Sequence, residues 1–132
     1  MNRKWVLLIL FVIGATIFTS QGLKGGPEVT IQEAVALLNS TPRPAFIDVR
    51  ERAEYELGHI TGAISLPSAN IKERLEQLKL SKVDAIVIYG SDDVRVRDAT
   101  KQLYQSGYQG ALTLKGGIEA WRAAGLAVIK KP

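Results

Sequence analysis

"VIYGSDDVRVRDAT", residues Val87–Thr100, is the stretch on which the fold turns. It begins inside "DAIVIY" (Asp84–Tyr89), the run richest in β-branched and aromatic residues, which reads as the central strand. The run stops at Gly90 and a polar turn follows. Val96, Ala99, Thr100 and Leu103 then recur at helical spacing, with Gly107 closing the helix. A strand, a short turn and a helix form the repeating unit of open α/β sheets. In such sheets ligands and chemistry gather outside the carboxyl end of the strand, where the helix N-terminus begins. A nucleophile is expected at that point. The position holds Gly90, and the chain contains no cysteine.

The same alternation runs outward in both directions. Thr30-Ile31-Gln32-Glu33 reads as a capping box opening a helix whose apolar face is Ile31, Ala34, Val35 and Leu38. "TPRP" (Thr41–Pro44) breaks it, and "AFIDV" (Ala45–Val49) is a short buried strand. "ERAEYELGHITG" (Glu51–Gly62) is a polar turn with about one helical turn. "AISL" (Ala63–Leu66) is a further strand, and Ile71, Leu75 and Leu78 mark a helix face. "ALTL" (Ala111–Leu114) and a short helix in "GGIEAWRAAG" (Gly116–Gly125) complete the chain. Strands alternating with helices at this spacing predict an α/β domain, its sheet parallel and covered on both faces.

Bulk composition narrows the chemistry. A chain of 132 residues suits one domain with one core. Without cysteine there is no disulfide, no thiolate nucleophile and no thiolate-ligated metal. One histidine is too few for a histidine-based metal site, so no metal and no cofactor are expected. The formal charge is +4, but Arg3 and Lys4 belong to an N-terminal segment; without them the balance is 15 basic to 13 acidic residues, or +2. No basic stripe interleaved with aromatics is present, which argues against nucleic-acid binding.

The N-terminal segment, residues 1–23, has a basic start and an uncharged apolar run from Trp5 to Phe18. As a helix the run would span about 21 Å, and about 28 Å if extended to Leu23, against about 30 Å of bilayer core. It reads as a hydrophobic helix acting as a signal-anchor, or as a cleaved signal peptide. Positive-inside logic sends the domain outside the cytoplasm, to the periplasm in a bacterium; cleavage would make it secreted. Residues 24–28 form a linker, 29–128 the domain and 129–132 a tail.

Three segments carry a resemblance. "FIDVRERAEYELGHITGAISLPS" (Phe46–Ser68), "IVIYGSDDVRVRDATKQLYQSGY" (Ile86–Tyr108) and "LTLKGGIEAWRAAGLAV" (Leu112–Val128) are similar to the signatures of rhodanese-like domains. The resemblance covers roughly Val29 to Val128. It implies a five-stranded, mainly parallel sheet with helices on both faces, and a sulfurtransferase ancestry. Active members present a cysteine at the first position of a six-residue loop, commonly C-x-x-G-x-R. Laid onto this chain, Gly90 takes the cysteine position, Asp93 the inner glycine and Arg95 the final arginine, with Ser91, Asp92 and Val94 between.

The family's sulfur transfer passes through a persulfide, for which a soft, partly ionised thiolate is suited. Gly90 has nothing to attack with, and Ser91 stands at the wrong position and lacks an adjacent base. The loop amides and helix N-terminus could still hold an anion, helped by Arg95. Asp92 and Asp93 oppose this: either can cap the helix, and each repels an anion by about 4 kcal/mol before screening at an effective dielectric of 20. The retained frame predicts that Gly90→Cys with Asp93→Gly rebuilds a reactive thiol.

Asp48, Arg50 and Glu51 read either as an acid–base group or, more plainly, as a turn held by hydrogen bonds and an ion pair. His59, Gly116, Gly117 and Trp121 read as structural residues. The expected function is a catalytically inactive, membrane-associated binding or scaffolding module, with a protein partner at the loop face and a possible place in sulfur trafficking. The alternative is a degenerate enzyme or an anion-binding domain using the Gly90–Arg95 loop.

Overall fold

The computed structural model describes residues 26–131. Along the chain run β1 (Glu28–Val29), α1 (Ile31–Leu38), β2 (Ala45–Asp48), α2 (Arg52–Leu57), β3 (Ile64–Ser65), α3 (Ile71–Leu78), β4 (Ile86–Tyr89), α4 (Asp93–Gln105), β5 (Ala111–Leu114) and α5 (Gly117–Ala123). The five strands form one sheet in the order β1-β5-β4-β2-β3, and all four pairings are parallel.

Strand β4 is the hinge of the architecture. All four of its residues are buried, because both faces are covered. Side chains alternate across a strand, so Val87 and Tyr89 enter one core with Phe46, Leu112, Leu114, Ile118 and Trp121. Ile86 and Ile88 enter the other with Ile47, Leu75, Ala99 and Leu103. Each large side chain so buried contributes roughly 1.5–3 kcal/mol. From β2 the chain moves outward to β3; from β4 it moves the other way to β5. The carboxyl ends of β2 and β4 therefore flank the point where the winding reverses, the usual place for a site in such sheets.

Several expectations shift in detail. In α1 the fully buried residues are Ala34 and Leu37, with Ile31, Val35 and Leu38 only partly buried. Leu37 belongs to the core because the helix docks slightly rotated from the face that spacing suggests. Thr30 does cap α1, its Oγ1 accepting from the Glu33 amide at 3.1 Å. The Glu51–Gly62 segment holds a six-residue helix, α2, with a reciprocal capping box between Glu51 and Glu54. Helix α4 starts at Asp93, three residues before Val96. The capping bond of Asp92 lets it start there.

The ends of the domain also differ from the sequence reading. Residues 1–23, with the hydrophobic helix expected there, lie outside the described residues. The linker placed at 24–28 is shorter than expected: the Pro27 carbonyl accepts from the Thr113 amide and Glu28 is already in β1. The tail is docked, since His59 and Ile129 form an antiparallel bridge and the Lys131 amide donates to the Glu56 carbonyl. Among the described residues no helix is long and apolar enough to cross a membrane.

Candidate functional site

The turn after β4 is built from the backbone. Gly90 leaves the strand, and its carbonyl accepts from the Ile118 amide at 3.1 Å, which ties the turn to the start of α5. Gly116 and Gly117 make that approach possible. Both have positive φ, and a Cβ on Gly117 would stand 2.3 Å from the Gly90 oxygen. Gly90 itself is not in the left-handed region, so packing is what excludes a side chain there. A Cβ on it would lie 2.9 Å from Val96 Cγ2 and 3.2 Å from Val49 Cγ2. The space a nucleophile would need is filled from both sides.

The loop amides are partly spoken for. Asp92 is the N-cap of α4, its Oδ1 accepting from the Arg95 amide at 2.9 Å. The Arg95 guanidinium lies 3.4 Å from Asp92, 3.7 Å from Glu51 and 3.9 Å from Glu54. Three carboxylates around one arginine leave the mouth of the loop acidic. Ser91, Asp93 and Val94 are exposed, and the side chains of Ser91 and Asp93 have no partner among the described residues. Beside the loop opens a cavity of about 260 Å³, lined among others by Glu28, Asp93, Arg97 and Thr113. Glu28 and Thr113 reach it together because they are register partners on adjacent strands.

Asp48 and Arg50 form a fully buried pair. Arg50 Nη2 and Nε donate to Asp48 at 2.8 and 3.1 Å, its amide donates to the same carboxylate at 3.0 Å, and Nη2 also reaches the Gly58 carbonyl at 2.6 Å. Burial works against the Arg50 charge, but the hydrogen bonds and field of Asp48 outweigh it and hold its pKa above the ordinary value. The pair braces the β2 turn against α2. Glu51 stands apart from it, exposed, capping α2 and facing Arg95. Tyr89 is buried beside the pair and accepts from the Ile60 amide at 3.1 Å. Burial, then the field of Asp48, push its phenol far above the usual range.

The remaining sequence-marked residues fall away from the loop chemistry. His59 is 5% exposed, stacked on Tyr55 at 3.7 Å, and its Nδ1 donates to the Tyr55 carbonyl at 2.8 Å. Trp121 is core, its indole N–H donating to the Ala127 carbonyl. Sequence reasoning missed Val96, Val49, Glu54, Glu28, Arg97 and Thr113. Only Glu54 had a local signal, its spacing of three from Glu51 just before a helix.

Fold and site together define a doubly wound α/β domain with a strand–turn–helix frame whose turn opens at Gly90 and holds no cysteine. A rhodanese-like domain model matches residues 30–124, and the chain belongs to that family. An uncharacterised protein of Synechocystis is 37% identical over 84 residues, 64% of this chain and 46% of that protein. A tRNA uridine(34) hydroxylase of Sodalis glossinidius is 33% identical over 90 residues, 65% of this chain and 26% of the enzyme. The chain thus spans less than half the length of these relatives. The human single-domain sulfurtransferase TSTD1 superposes with a TM-score of 0.67 at 28% identity, covering 75% of this chain and 97% of the human one.

Proposed function

We propose that this domain is a catalytically silent rhodanese-like binding module that presents its Gly90–Arg95 face to a partner. The observation that carries the reading is the occupation of the nucleophile's place. The resemblance lays Gly90 on the cysteine position of active members, and Val96 and Val49 crowd a side chain there. The human neighbour is a sulfurtransferase and the Sodalis relative a tRNA hydroxylase, so the scaffold serves more than one chemistry. Persulfide formation is not open to a chain without a thiol. Apolar residues 5–18 support a place at a membrane, with the domain on the extracytoplasmic side and a cysteine-bearing sulfur-transfer protein as one kind of partner.

A thiosulfate:cyanide sulfurtransferase assay on the purified full-length chain tests this. The expected result is no thiocyanate above the enzyme-free rate at any protein concentration. Thiocyanate rising in proportion to protein would sink the reading. The second reading, a degenerate enzyme or anion binder on the same loop, draws support from the adjoining cavity of about 260 Å³. The Asp92 cap and the three carboxylates around Arg95 weigh against an anion there. Soaked thiosulfate ordered on the Gly90–Arg95 amides would favour it instead.

A further inference from the structure

At the other edge of the sheet, beside β3, a cavity of about 330 Å³ lies between α2, α3 and the docked tail. Four cations line it: Arg52 from α2, Arg74 from α3, and Lys130 and Lys131 from the tail. Glu56 is the carboxylate paired there, with Arg52 at 3.0 Å and Lys131 at 3.6 Å. Lys130 has no partner among the described residues. Arg74 donates through Nη1 to the Ser65 carbonyl at 2.6 Å, which aims its guanidinium along the cavity wall. Four cations lining one cavity repel one another, and Glu56 offsets only the two it pairs with.

Two neutral groups point the same way. Ser65 Oγ is buried and has no hydrogen-bond partner among the described residues. Leaving a buried hydroxyl unsatisfied costs stability, which a bound acceptor would recover. His59 is 95% buried and also lines the cavity. Its Nδ1 carries a proton because it faces a carbonyl, so Nε2 is left without a protein partner and, in the neutral ring, can accept from the P–OH of a partly protonated phosphate. Cations from three separate elements and a donating hydroxyl, with the ring nitrogen able to accept from a P–OH, suit a partly protonated tetrahedral oxyanion better than a planar one. Such an anion accepts from several directions at once.

We infer that this basin binds a phosphate group, either free inorganic phosphate or the headgroup of an acidic phospholipid. The basin shares no residue with the Gly90–Arg95 loop, so it stands or falls independently of the proposed function. It exists only because the tail is pinned. The His59–Ile129 bridge and the Lys131–Glu56 backbone bond bring Lys130 and Lys131 to α2 and α3.

The test is a titration of the full-length chain with inorganic phosphate at constant ionic strength, followed by amide ¹H–¹⁵N shifts. Saturating shifts are expected at His59, Ser65 and Lys130, with none from an equal ionic strength of chloride. Lys130→Glu, an exposed change, should weaken binding at least tenfold; Ser65→Ala, which alters no charge, should weaken it about threefold. Phosphatidylcholine vesicles with and without phosphatidic acid separate the sources. Vesicle binding competed by phosphate supports the basin with a lipid headgroup as occupant. Phosphate binding with no added affinity for the phosphatidic-acid vesicles over phosphatidylcholine alone supports it with a soluble one. Vesicle binding without saturable phosphate shifts, shifts centred on Gly90–Arg95, or affinity unchanged by Lys130→Glu would each overturn it.

Discussion

Gly90 marks more than a deleted thiol. The place its side chain would take is held by Val96 and Val49, so the loss is built into the packing. Gly90→Ala is therefore expected to destabilise the domain by about 1–3 kcal/mol through overpacking. Combining it with Val96→Ala should cost less than the sum of the two single changes, because the second opens the space the first needs. A urea-denaturation double-mutant cycle reads this directly; strict additivity would show that Val96 does not wall the site. For the same reason Gly90→Cys with Asp93→Gly is expected to give a reactive thiol only when a smaller residue stands at 96 as well, read by persulfide formation with thiosulfate. Asp48 is a second residue where one atom group decides much. Asp48→Ala strands the buried Arg50 charge, and a loss of about 3–5 kcal/mol is expected in the same measurement.

Helix α4 is the element that sets the loop, and it is held at both ends. Asp92 caps its start, and Tyr104 near its end donates its hydroxyl to the Ala111 carbonyl of β5 at 2.7 Å. Burial pushes the Tyr104 phenol up to about 12. The folded state thus holds that proton more tightly than the unfolded chain, whose tyrosines titrate near 10. The stability this provides is complete below about pH 10 and is lost as pH rises from about 10 through 12. Denaturation midpoints measured from pH 9 to 12 should fall across that window. Tyr104→Phe should flatten the fall, and an unchanged slope would assign it to other groups. The expected helix began at Val96 because its apolar period starts there; the cap at Asp92 extends it by a turn that carries no apolar signal.

Across the whole molecule, charge is divided by the fold. The loop end gathers Asp92, Glu51 and Glu54 about Arg95, while the β3 edge lines one cavity with four cations, two of them paired with Glu56. A net charge near zero for the domain conceals both poles. The tail is part of this layout. Deleting residues 129–132 removes the two His59–Ile129 backbone bonds and the Lys131–Glu56 bond. At about 0.5–1.5 kcal/mol each, a loss of roughly 1.5–4.5 kcal/mol is expected. The His59 amide should also lose protection in hydrogen exchange. Full protection in the truncated chain would show that the bridge contributes nothing.

The residue pattern alone determined a good deal: an α/β alternation, four of the five strands, the parallel sheet and the absence of a cysteine, but not β1, whose residues carry no strand signal. These follow from spacing over a few residues and from covalent composition, which no folding step can alter. Only the tertiary structure decided that Val96 fills the empty site and that Leu37 is core. The same holds for Glu28 pairing beside Thr113, and for Lys130 and Lys131 lining one cavity with Arg52 and Arg74. Each of those depends on residues far apart in sequence being brought together when the sheet closes. Such contacts have no local period, so they become legible only when strand order and docking are known.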